Sequence, residues 1–185
     1  STAITMTRNS FHSNGTIVAM DASPISGQIG IDLNSTTDDT NYGTAPFRTL
    51  NDNGDADAGA NGLLNHPILS TATHTGTNLI LTGYALPGSV IEVFIADNDP
   101  SGFGEGQTYL FNVTEGSGAD ADATTGTYGP AVINGLSQGT DNTSRFSFTL
   151  PAPGTVVNGT KLTATATLAG NTSEFSGIVT TILDL

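Results

Sequence analysis

The chain has 185 residues, enough for one domain with a proper core or one domain plus a small appendage. Seventeen acidic residues face four basic ones (Arg8, Arg48, Arg145, Lys161), a formal net charge of −13 that repels nucleic acid and anionic membrane surfaces. There is no Cys, which excludes a disulfide framework, a thiol nucleophile and a Cys-based zinc site.

The acidity is mostly Asp, and Asp with Asn and Gly is the composition of cation-binding loops. Abundant Thr, Ser, Asn and Gly beside a single Lys suit a secreted, extracellular bacterial β protein at the cell surface. No run is apolar and long enough to insert into a membrane as a helix.

In chain order, short strands are predicted at Ala3–Thr7, Thr16–Met20 and Gly30–Leu33, separated by turns such as Ser13-Asn14-Gly15. Residues 34–65 form a long irregular stretch rich in Asp, Asn and Gly; a loop of that length is usually functional or held by a ligand. The chain divides near Asn65–Pro67, into residues 1–66 and residues 67–185. Beyond Pro67, period-two patterning predicts strands at Ile68–His74, Asn78–Tyr84, Ser89–Ala96, Gln107–Val113, Thr143–Leu150, Thr160–Leu168 and Ser173–Leu183. Phe146, Phe148 and Leu150 share one face. Leu162, Ala164, Ala166 and Leu168 share another, with Thr163, Thr165 and Thr167 directed to water. Seven short strands over roughly a hundred residues are the signature of an immunoglobulin-like antiparallel β-sandwich. The expected fold is therefore all-β, with an N-terminal appendage and a long acidic linker loop.

Certain segments resemble a known junction. Ile31-Asp32-Leu33 followed by the acidic run from Asn53 to Pro67 is similar to the segment that ends a right-handed parallel β-helix in large secreted bacterial surface and adhesin proteins, just before an Ig-like domain. Residues 81–88, 100–108 and 166–176 match the pattern of that Ig-like domain. The resemblance implies that residues before Leu33 contribute a β-helix-like rung. Its open end would be covered either by the rest of a longer surface protein or by another copy in a head-to-tail filament.

The leading candidate for chemistry is a calcium site in residues 51–59. Asn51, Asn53, Asp55 and Asp57 alternate as oxygen donors around Gly54, with Asp32, Asp38 or Asp39 able to complete the shell. The closing Glu of an EF-hand is missing, and the alternative is a solvated acidic loop. A second candidate set is Asp97, Asn98, Asp99 and Glu105, against ordinary turn chemistry at Asp-Pro and Ser-Gly.

Catalytic motifs are absent: His12, His66 and His74 share no pattern, and no nucleophile elbow or phosphate loop occurs. Glu92 and Glu174 read as strand-face or structural groups, so no enzyme is expected. The expected function is a structural or adhesive module, or a self-assembling subunit, ordered by calcium. The alternative is a polysaccharide-binding module of a secreted enzyme or adhesin, with Phe103 and Tyr128 as exposed stacking rings. Against that stand the absence of Trp and the commoner fate of an aromatic, which is to cover a core edge.

Overall fold

The computed structural model describes residues 3–16 and 27–184. Ten strands occur among them: β1 Ile68–His74, β2 Asn78–Ala85, β3 Val90–Ala96, β4 Gly106–Thr114, β5 Thr125–Tyr128, β6 Asp141–Pro151, β7 Lys161–Leu168, β8 Asn171–Thr172, β9 Val179–Thr180 and β10 Ile182–Leu183. The described residues contain no α-helix, only a 3-10 turn at Ala60–Leu63. None of their helices is therefore long and apolar enough to cross a membrane.

The strands form two sheets, ordered β10-β1-β2-β6-β5 and β4-β3-β7-β8, with β9 also pairing β7. Every pairing is antiparallel except β1 with β10. The facing sides bury Leu79 and Leu81 of β2, Phe146 and Phe148 of β6, Ile91 and Val93 of β3, and Leu162 and Ala164 of β7. This is the β-sandwich that alternating apolar residues dictate: each pleated sheet presents every second side chain to the other.

The second sheet is covered on its outer side as well. Phe94 of β3 and Phe175 join Ile31, Leu33 and Leu63 in a second apolar cluster, with Met6, Phe11 and Tyr109 packed against it. Phe11 and Phe94 each meet the Phe175 ring edge-on, at 5.6 Å between centroids. Thr163 and Thr165, expected in water, are therefore buried. The Thr163 hydroxyl donates to the Ser176 carbonyl (2.9 Å), which satisfies its polar group under the cover.

The N-terminal expectations need correction. Residues 3–7 and 30–33 form no strand ladder. Most of the expected strand Thr16–Met20 lies outside the described residues. Residues 3–14 instead run over the second sheet, held by scattered bonds. Thr172 N–H donates to the Ile4 carbonyl at 3.1 Å, and Phe11 N–H to the Gly106 carbonyl at 3.0 Å.

The expected strand Ser173–Leu183 is also broken. Alongside β7 the Ser173 and Ser176 hydroxyls accept the Ala166 and Ala164 N–H groups (2.9 and 3.0 Å), replacing ladder carbonyls with side chains. Regular pairing resumes only at β9. Short β5, which alternation did not reveal, consists of Thr, Gly, Thr and Tyr on the edge of the first sheet.

Candidate functional site

The N-terminal cover is held by carboxylates of the sandwich that accept its backbone N–H groups. Glu92 Oε2 takes the Arg8 N–H (2.8 Å), Asp97 Oδ2 the Ser13 N–H (2.7 Å) and Glu105 Oε2 the Asn14 N–H (2.9 Å). Glu174 bridges two more segments: Oε1 takes the Leu33 N–H (2.9 Å) and Oε2 the Thr49 N–H (2.7 Å). Burial pushes the Glu174 carboxyl up to about 8, outweighing those two bonds, and the Asp32 charge adds to the rise. Asn61, at positive φ, closes the far end. Its Oδ1 accepts the Ile4 N–H (2.9 Å), and its Nδ2 donates to the carbonyls of Ile4 and Thr172 (2.7 and 2.9 Å).

The acidic loop folds around its own side chains. Asp52 accepts the Ala56 N–H with both oxygens (3.1 Å each), and Asp55 Oδ1 accepts the Asn65 N–H (2.7 Å). Asp141 at the start of β6 takes the Gly54 N–H with Oδ1 (2.8 Å) and the Asn65 Nδ2 with Oδ2 (3.2 Å). These loop carboxylates satisfy the amides of their own turns.

Asn51 faces inward. Its Nδ2 donates to the His66 carbonyl and to the Tyr128 hydroxyl (2.7 Å each), while its Oδ1 accepts the His66 N–H (2.9 Å). This side chain is a buried clamp with its oxygen already engaged. Asn53 is exposed at the tip of the turn.

Asp57 is different. Its Oδ1 is buried without a hydrogen-bond partner. It lines a cleft of about 340 Å³ together with Asp32, Asp38 and Arg48. Burial raises the Asp57 pKa, with Asp52 and Asp55 adding to it. Burial also raises that of Asp32, with Asp38 adding. Asp38 is lowered by hydrogen bonds from the Ser35 hydroxyl and N–H, with Thr44 contributing. The fold therefore brings Asp32, Asp38 and Asp57 to one cleft and sends Asn51, Asn53 and Asp55 elsewhere. Asp39 caps its own turn, accepting the Asn41 and Tyr42 N–H groups at 2.8 and 2.9 Å. Among the described residues no three Asp, Glu or His groups already stand at metal-binding spacing.

Asp97, Asp99 and Glu105 gather where β3 leads toward β4. Asp97 N–H donates to the Glu105 carbonyl (2.8 Å), and Asp99 Oδ1 caps Ser101 (2.7 Å). Glu105 is fully buried, with Oε1 unpartnered. Burial raises its pKa, opposed by bonds from Asn14 and reinforced by Asp99 and Asp97. Asn98 points away, accepting from the Lys161 ammonium at 2.6 Å.

Phe103 and Tyr128 are buried, at 2% and 6% exposure, so neither offers an open ring face. Phe103 is enclosed because Gly104 N–H bonds the Ser176 carbonyl and Ile178 N–H bonds the Gly102 carbonyl, pinning its loop to the chain after β8. The Arg48 guanidinium lies 5.0 Å above the Phe103 ring, and His66 meets the ring edge-on at 5.7 Å. Tyr128 packs at 5.1 Å from Tyr84, and burial raises its hydroxyl pKa.

The clamps made by Asn61 and Asn65 emerge only in three dimensions, as do the two segments that Glu174 bridges. No known protein family matches the chain, and no curated protein is significantly similar to it.

Proposed function

We propose that the chain is an extracellular structural or adhesive module of immunoglobulin type whose N-terminal segment is ordered by calcium. The observation that carries the calcium reading is the buried, unpartnered Asp57 Oδ1 in a cleft shared with Asp32 and Asp38. Burying a carboxylate oxygen with no donor is costly, and neighbouring negative charge raises that cost. A hard cation with oxygen ligands relieves both. Asp32, Asp38 and Asp57 would hold the ion, with the Ser35 and Thr44 hydroxyls lining the same cleft. Calcium would draw the carboxylate walls together and tie residues 32–49 to residues 57–63.

The strand order supports the immunoglobulin reading. Strands β1-β2-β6-β5 correspond to an A-B-E-D sheet, and β4-β3-β7 with β8 and β9 to its C- and F-containing partner. The resemblance of residues 31–33 and 53–67 to a β-helix junction supports a place in a larger surface assembly, through a longer chain or through head-to-tail copies. Electron microscopy with calcium and with chelator distinguishes the two: fibres support head-to-tail copies, and dispersed monomers support the longer chain.

The calcium reading is tested by calorimetric titration of wild type and Asp57→Asn. Saturable calcium binding that raises the melting temperature of wild type, and that Asp57→Asn weakens, is expected. Wild type that melts identically in calcium and in chelator would remove it.

A further inference from the structure

A second groove lies on the opposite side of the molecule's sheet stack, on the outer face of the first sheet, and plays no part in the reading above. It encloses about 370 Å³ and is lined by Ser70, Thr82, Tyr84, Asp122, Arg145 and Ser147, among others. Its wall is fixed. Ala121 N–H donates to the Ser147 carbonyl (2.9 Å), and Ser147 N–H donates to Asp120 Oδ1 (2.8 Å).

Arg145 is stationed over this groove by packing. Its guanidinium lies 5.8 Å from the Tyr84 ring centroid. Gly126 leaves the space it occupies, because a Cβ there would sit 2.5 Å from Arg145 Nε. Asp122 is held from the other direction: its Oδ1 accepts the Thr124 N–H and hydroxyl. That leaves Oδ2 without a hydrogen bond among the described residues. Arg145 and Asp122 both line the groove and feel each other's charge. The Ser70 and Ser147 hydroxyls are likewise uncommitted among the described residues.

The Arg145 guanidinium is hydrogen-bonded to Tyr84 and interacts with the Asp122 charge, yet it has five N–H donors. Its remaining donors, beside the free Asp122 Oδ2 on a hydroxyl-lined surface, match a ligand that both accepts and donates. Neighbouring sugar hydroxyls do so. A polyanion is disfavoured by Asp122 and by the net charge of −13. A bare cation is disfavoured because Arg145 balances the groove's single lining carboxylate, Asp122, whereas Arg48 stands among three carboxylates in the Asp57 cleft. An extended peptide needs a free strand edge, whereas the central strand here, β2, is paired on both sides by β1 and β6.

We infer that this groove binds a neutral polysaccharide, with adjacent sugar hydroxyls accepting from Arg145 and donating to Asp122 Oδ2, and with Ser70 and Ser147 taking further hydroxyls. The site goes beyond the structural role proposed above, and calcium has no part in it.

The test is native affinity electrophoresis in chelator, in gels holding mixed-linkage β-glucan, galactomannan, dextran or, as the anionic control, alginate. At least one neutral polysaccharide retards wild type. Arg145→Ala and Asp122→Asn each weaken that retardation about tenfold or more, the loss of one charge-assisted hydrogen bond. Thr149→Ala, on the same strand but outside the groove, retains it. No retardation by any neutral polysaccharide, retardation by alginate alone, or retardation that survives both groove variants would each overturn the assignment.

Discussion

Asn51 separates two accounts of the acidic loop. As a calcium ligand, its loss would matter only in the presence of calcium. As the clamp seen here, its loss matters most without it. Replacing Asn51 by Ala removes three hydrogen bonds and strands the His66 N–H, the His66 carbonyl and the Tyr128 hydroxyl in a buried setting. Each stranded group costs about 1–3 kcal/mol, and partial relaxation or water entry brings the expected total to roughly 3–5 kcal/mol. For a chain of this size that corresponds to a fall in melting temperature of about 6–20 °C. Urea denaturation in excess chelator measures it, with Asn53→Ala as control. Asn53 is exposed, and its loss should change stability by less than about 0.5 kcal/mol. An Asn51→Ala cost below about 1 kcal/mol in chelator would refute the clamp.

Two further expectations concern protons. Burial holds His66 at about 4 against an ordinary 6.5, so between those values the unfolded chain takes up a proton that the folded chain refuses. Stability then falls as pH drops through that window, by about 3 kcal/mol in full. Denaturation at pH 7 and pH 4.5 should show His66→Phe with a smaller acid loss than wild type; equal losses would contradict the buried neutral imidazole. Glu174 runs the other way. With its carboxyl at about 8 against 4.5, the folded chain keeps a proton that the unfolded chain has lost, and the contribution falls as pH rises from 4.5 to 8. Carbon-13 NMR of the glutamate carboxyls should show Glu174 titrating near 8, and a midpoint at the ordinary value would contradict it.

The sandwich strands were legible because alternation encodes them. β1 occupies Ile68–His74, as expected, and β2 differs from expectation by one residue. The N-terminal cover was not legible, because its partners are side chains rather than a neighbouring strand. Glu174 contacts residues 141 and 125 positions away, and such clamps leave no local period. Thr163 and Thr165 show the same blindness: a threonine beneath a cover has the same pattern as one in water. Asp32 and Asp57, two members of the expected calcium shell, line one cleft. The donor spacing could not reveal that Asn51 turns inward to His66 and Tyr128. Phe103 and Tyr128 likewise gave no sign that chain segments far away enclose them.

Hydrogen exchange by mass spectrometry, in calcium and in chelator, reads whether calcium orders the Asp57 cleft. Calcium is expected to slow exchange across residues 32–49 and 57–63, which form the walls of the Asp57 cleft, and to leave β2 and β6 unchanged. Exchange in those walls that is identical with and without saturating calcium would contradict the calcium reading.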